Sequence, residues 1–100
     1  MNSSTVETQV PTVTSAHVSD DVLSVELSDG RSLGVPLAWY PRLSHATSQE
    51  LDHWGLIGNG RGVRWPDLDE DISVENLLAG RPSGESQTSL KRWLDQRANS

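Results

Sequence analysis

The chain has 100 residues, with 14 acidic side chains against 8 Lys and Arg, a formal charge of −6, 34% hydrophobic residues, no Cys and no Phe. That length suits one domain burying roughly 65% of its unfolded surface, with a core drawn from Leu, Val, Ile and Trp. Disulfides, thiolate catalysis and Cys-ligated zinc are excluded, and the acidic balance argues against sequence-blind binding to nucleic acid phosphates, which takes Lys and Arg.

Residues 1–13 are rich in Ser, Thr and Val with one Pro, and read as a flexible arm or an edge strand. The opening MNSSTVETQVPTVTS lacks the basic and apolar regions of a signal peptide. No apolar run approaches the roughly 20 residues that span a bilayer, so a cytoplasmic protein is expected. The main domain is expected over residues 14–82, followed by a linker and C-terminal helix over residues 83–100.

A strand is expected from about Ser15 to Ser19. Leu23-Ser24-Val25-Glu26-Leu27 and Leu33-Gly34-Val35-Pro36-Leu37 then alternate with period two, the pattern of half-buried strands. A two-residue loop at Asp29-Gly30 would place their apolar sets on opposite faces. A three-residue loop, Ser28-Asp29-Gly30, sets Val25 opposite Leu33 and Leu23 opposite Val35, with Gly30 at a left-handed position. Pro41 opens a short helix running to about Ala46. Thr47-Ser48-Gln49-Glu50 matches a capping box for a second one, ending near His53 and stopped at Gly55. Leu56 to Trp65 reads as a second hairpin about Asn59-Gly60, pairing Leu56 with Val63 and Trp54 with Trp65. Ser73 caps a helix whose apolar residues are Val74, Leu77 and Leu78, with Gly80 as its stop. Leu90, Trp93 and Leu94 share one face of a last helix, Thr88 to Arg97. The expected class is α+β: a small antiparallel sheet, meander plus second hairpin, packed by short helices, with a C-terminal amphipathic helix.

The acidic run Asp67, Asp69, Glu70 and Asp71 is the first candidate for chemistry. An EF-hand loop counted from Asp67 would need Gly and Glu where Ile72 and Leu78 stand, so that reading fails. A looser Mg²⁺ site is the alternative, but the preferred reading puts Asp69 to Asp71 just before a helix N-terminus, where the macrodipole favours negative charge. Gly58-Asn59-Gly60-Arg61-Gly62 lacks a phosphate loop's Gly-Lys-Ser/Thr ending and reads as a turn. Residues 80–86 lack the Gly-x-Ser-x-Gly elbow and read as a flexible linker. His17, His45 and His53 supply no third ligand at a defined spacing. No catalytic, cofactor-binding or metal residues are therefore assigned. Most of Trp39, Tyr40, Trp54 and Trp65 are expected in the core, while Trp93 docks on its own domain or on a partner.

Four segments carry a family resemblance: Leu23-Ser-Val-Glu-Leu-Ser-Asp-Gly-Arg, Val35-Pro-Leu-Ala-Trp-Tyr-Pro-Arg-Leu, Ile57 through Trp65-Pro-Asp-Leu-Asp-Glu-Asp-Ile-Ser-Val-Glu, and Leu78-Ala-Gly-Arg-Pro-Ser. Over residues 14–86 the chain resembles the bacterial domain of unknown function family 2442. The resemblance implies a small α+β fold and no catalytic set. It also implies an antitoxin-like role beside another small protein. Some relatives carry an appended helix-turn-helix; with the chain ending at Ser100, DNA binding by that route is not expected. The resulting expectation is a non-enzymatic protein-binding module for a small basic partner encoded nearby, with contacts at Leu90, Trp93, Leu94, Asp69 and Asp71. The alternatives are a metal or ligand site at the acidic cluster, or an accessory DNA binder using Arg61, Arg64 and Arg81. Homodimerisation is left open.

Overall fold

The structure, a computed structural model, describes residues 10–98; the first nine residues of the expected N-terminal arm lie outside the described residues. The first hairpin forms where alternation is cleanest. β1 (Val13–Ser19), β2 (Val22–Leu27) and β3 (Ser32–Pro36) make an antiparallel meander in the order β1-β2-β3. Leu23 pairs with Val35 and Val25 with Leu33, the register that a three-residue loop requires. The Leu27 N–H donates to the Arg31 carbonyl at 2.8 Å, and Gly30 takes φ +92°. Leu23, Val25, Leu27 and Val35 are buried as the alternation demands.

Two short helices follow. α1 (Pro41–Ser44) has Pro at its first position, where a missing donor costs nothing. α2 (Ser48–Asp52) is capped on both sides of the box: the Thr47 hydroxyl accepts from the Glu50 N–H at 3.1 Å, and the Glu50 carboxylate accepts from the Thr47 N–H at 2.9 Å.

The second half departs from expectation. β4 (Gly55–Ile57), β5 (Gly62–Trp65) and β6 (Glu70–Ser73) form a second three-stranded sheet in the order β4-β5-β6, in place of a lone hairpin. Leu56 pairs with Val63 as the Asn59-Gly60 turn predicts, but β4 starts at Gly55 and the ladder stops before Trp54 can join it. Gly58, Asn59 and Gly60 all have positive φ. The acidic run is not the lead-in to a helix. Pro66–Leu68 make a 3-10 turn, Asp69 ends it in the left-handed conformation at φ +50°, and Glu70 and Asp71 belong to β6. The macrodipole account passes to Glu75, in the first turn of α3 (Val74–Ala79), whose cap is Ser73 and whose stop is Gly80. Of the apolar residues of α3, Val74 and Leu77 are buried but Leu78 is exposed.

One core joins the two sheets. Leu23, Val25 and Val35 from the first meet Val63, Trp65 and Ile72 from the second, with Leu43 and Leu68 filling between. The Val13 N–H donates to the Gly60 carbonyl at 2.7 Å, and an added Cβ on Gly60 would stand 2.9 Å from Thr12 Cβ. Only glycine permits that approach. Trp65 is 1% exposed, and its indole N–H donates to the Leu51 carbonyl at 3.1 Å. Trp39, Trp54 and Trp93 are half-buried against this core. The chain closes with α4 (Gln87–Ala98), none of whose residues is fully buried.

Candidate functional site

Residues 81–86 carry no regular structure, yet they are fastened to the domain, contrary to the expected flexible linker. The Ser83 N–H donates to the Trp39 carbonyl at 2.9 Å, and the Tyr40 hydroxyl donates to the Arg81 carbonyl at 3.2 Å. Burial, helped by the nearby Glu70 carboxylate, raises the Tyr40 hydroxyl above its ordinary range.

The centre of this attachment is Arg42 on α1. Its Nε and Nη2 donate to the two oxygens of Glu85 at 3.0 and 2.7 Å, and its Nη1 donates to the Leu68 carbonyl at 2.9 Å. The fork geometry suits guanidinium and no other side chain. The pairing lowers the Glu85 carboxyl and raises Arg42, each chiefly through their mutual hydrogen bonds. The Ser89 hydroxyl donates to the same carboxylate at 2.8 Å, so the first turn of α4 is tied to α1 through Glu85.

Trp93 sits beside this pair. The guanidinium carbons of Arg42 and Arg97 lie 5.1 and 4.5 Å from its ring centre, within cation–π range. Arg97 also donates twice to Glu50 on α2, at 2.9 Å each. Those bonds, with the Thr47 N–H, hold the Glu50 carboxyl down at about 2. Glu70 is the opposite case. Its Cα pairs with Trp65, which puts its side chain on the core face of β6. Burial pushes its carboxyl up to about 7, against the pull of Arg42. α4 is thus held by arginine–carboxylate pairs around one indole.

Between α4 and the Pro66–Leu68 turn lies a cleft of about 360 Å³, lined by Arg42, Asp67, Asp69, Arg92 and Trp93 among others. Two of the residues expected to bind a partner, Trp93 and Asp69, meet there. Leu90 and Leu94 are half-buried on the same helix. Asp69 and Asp71 converge on Arg64, at 3.1 and 2.7 Å, and their side chains are 78% and 53% exposed. These two bonds raise Arg64, Asp71 contributing most. Asp67 lies 2.8 Å from Nδ1 of His53. The acidic cluster is therefore occupied by internal partners, and no group of three or more possible metal ligands converges among the described residues. No helix among them is long and apolar enough to cross a membrane.

Sequence reasoning missed Arg42, Glu85, Glu50, Arg97 and Glu70. Arg42 and Glu85 are 43 residues apart and Glu50 and Arg97 are 47 apart, so no local spacing links them. Glu70 left little signal: Glu70-Asp71-Ile72-Ser73 holds a single apolar residue, and only once β6 has formed does the burial of Ile72, two residues on, turn Glu70 inward as well.

Two antiparallel meanders over a shared core, with a C-terminal helix clasped by polar contacts, define a small α+β domain. The chain belongs to the family described as "Protein of unknown function (DUF2442)", which matches residues 13–83. α4 falls outside that match. Two solved structures are similar. A protein of unknown function from Rhodospirillum rubrum ATCC 11170 shares 25% identity with a TM-score of 0.68, covering 79% of this chain and 98% of that one. An uncharacterised protein from Chromobacterium violaceum, solved by NMR, shares 25% identity with a TM-score of 0.63, covering 81% of this chain and 74% of that one. None of the curated proteins matches the chain.

Proposed function

We propose that this protein is a non-enzymatic, cytoplasmic binding module, the antitoxin-like half of a toxin–antitoxin pair, and that its partner is a small basic protein. The observation that supports this reading is the row of exposed carboxylates along one turn and edge strand. Asp67, Asp69 and Asp71 are all exposed there; Arg64 pairs with two of them and His53 lies beside the third, which leaves the row net negative. β6 is an edge of its sheet, so the row borders an open strand as well as the cleft beside Trp93. A basic surface would be steered to this edge by complementary charge, with Trp93, Leu90 and Leu94 supplying apolar contact at the rim.

Co-expression with the product of the adjacent reading frame tests it. A complex that co-purifies, and that the Asp69→Lys, Asp71→Lys double variant weakens about tenfold or more, is the expected result. Clean separation of the two proteins overturns the reading, as does a complex indifferent to both reversals.

A further inference from the structure

A different surface carries a separate inference. β4 is the other edge of the second sheet, and it is exposed throughout. Leu56 is 44% exposed and Ile57 37%, on a strand with β5 on one side and, among the described residues, no strand on the other. An open edge with apolar side chains is a template for another strand. We propose that this edge pairs antiparallel with β4 of a second copy of the chain, joining the two three-stranded sheets across a two-fold axis at Leu56.

Three features make the edge self-complementary, as an isologous contact must be. First, the axis sets Leu56 against Leu56 of the second copy, so each exposed side chain covers its twin. Second, the same register sets Ile57 opposite Gly55 of the second copy. Ile57 already leans over Gly62, where an added Cβ would meet its Cγ1 at 3.2 Å, while a Cβ on Gly55 would meet nothing within 4 Å. The larger residue of each strand thus falls in the space that the glycine of the other leaves open. Third, the axis lays the Gly58–Arg61 turn of one copy alongside the Asp52–Trp54 segment of the other. Arg61 and Asp52 are exposed, and neither forms an ion pair among the described residues. The stem of the Arg61 side chain lies along Gly58, its Cβ 3.4 Å from where a Cβ there would stand. Opposite charges then meet twice, once on each side of the axis. Two three-residue strands make a small interface, so the dimer belongs with weak, concentration-dependent ones.

Sedimentation velocity of the purified chain over a rising concentration series is the test. The expected result is a monomer–dimer shift that Gly55→Val abolishes while circular dichroism and the thermal midpoint stay at wild-type values, because the monomer has room for that side chain. Arg61→Glu should weaken the dimer, and adding Asp52→Arg to it should restore the dimer. A wild-type chain that stays monomeric throughout overturns the proposal, and would fit an edge reserved for another protein's strand. A dimer that survives Gly55→Val overturns it as well, by placing the contact elsewhere.

Discussion

The two meanders have the same topology and are built by different means. The first has strands of seven, six and five residues; the buried Leu23, Val25 and Leu27 of β2 alternate strictly, and β1 adds Val13 and Ala16 on either side of a bulge. The second has strands of three, four and four residues, of which β4 buries nothing. Its outer face is tied by Arg64 between Asp69 and Asp71, and its tightest turn leans on the first sheet at Thr12 and Val13. A long patterned strand carries its own register, because a slip of one residue would expose its whole apolar set. A three-residue strand cannot, and takes its place from what surrounds it.

The turn glycines offer the largest test of that difference. Gly30 and Gly60 have nearly equal φ, +92° and +91°, but an added Cβ meets nothing at Gly30 and meets Thr12 Cβ at 2.9 Å and the Val13 carbonyl oxygen at 3.0 Å at Gly60. Gly30→Ala should cost about 1–2 kcal/mol, the strain of a left-handed alanine. Gly60→Ala should cost about 3 kcal/mol or more, since backbone must also move. Urea unfolding monitored by tryptophan fluorescence measures both, and equal losses would mean that the second turn does not depend on the first sheet.

The next effect is a pH dependence that belongs to the second sheet and the helices above it. Glu70 is pushed up to about 7 when folded, so its contribution is full below its ordinary pKa near 4.5 and is lost as pH rises through about 7. Glu50 is held at about 2, so its contribution is full above 4.5 and is lost as pH falls toward 2. Stability should therefore peak in the mildly acidic range. Glu70→Gln should remove the alkaline loss, about 1–2 kcal/mol after allowing for solvent screening. A wild-type profile that is flat between pH 5 and 8 would refute the inward placement of that carboxylate.

The smallest effect is expected from Arg64→Ala. Its two ion pairs are exposed and water screens them. The unfolding midpoint should stay within the scatter of replicate measurements; a clear drop would show that the outer face of the second sheet does more than decorate it.

The same contrast explains what could be read in advance. The register of the first hairpin, the capping box at Thr47 and Glu50, the Ser73 cap and the Gly80 stop all follow from residues within a few positions of one another, and all are present. β6 was missed because Glu70, Asp71 and Ile72, the three residues before a helix cap, look like its polar approach. The clasp around Trp93 was missed for a different reason: Arg42 is paired with Glu85, and Glu50 with Arg97, across more than forty residues. Trp93 itself was legible as an aromatic on a helix face, but not the two guanidinium groups beside it.

The amino acid sequence by itself determined the pairing of β2 with β3, the helix caps and the turns, because hydrophobic period, capping hydroxyls and glycine φ act over one or two turns of chain. Only the tertiary structure decided that the acidic run divides between a 3-10 turn and an edge strand, that Glu70 faces inward, and that α4 is clasped by arginine and carboxylate instead of buried. Those outcomes depend on which charges meet after the sheets pack, and a charge pair separated by forty residues leaves no local trace in the order of the chain.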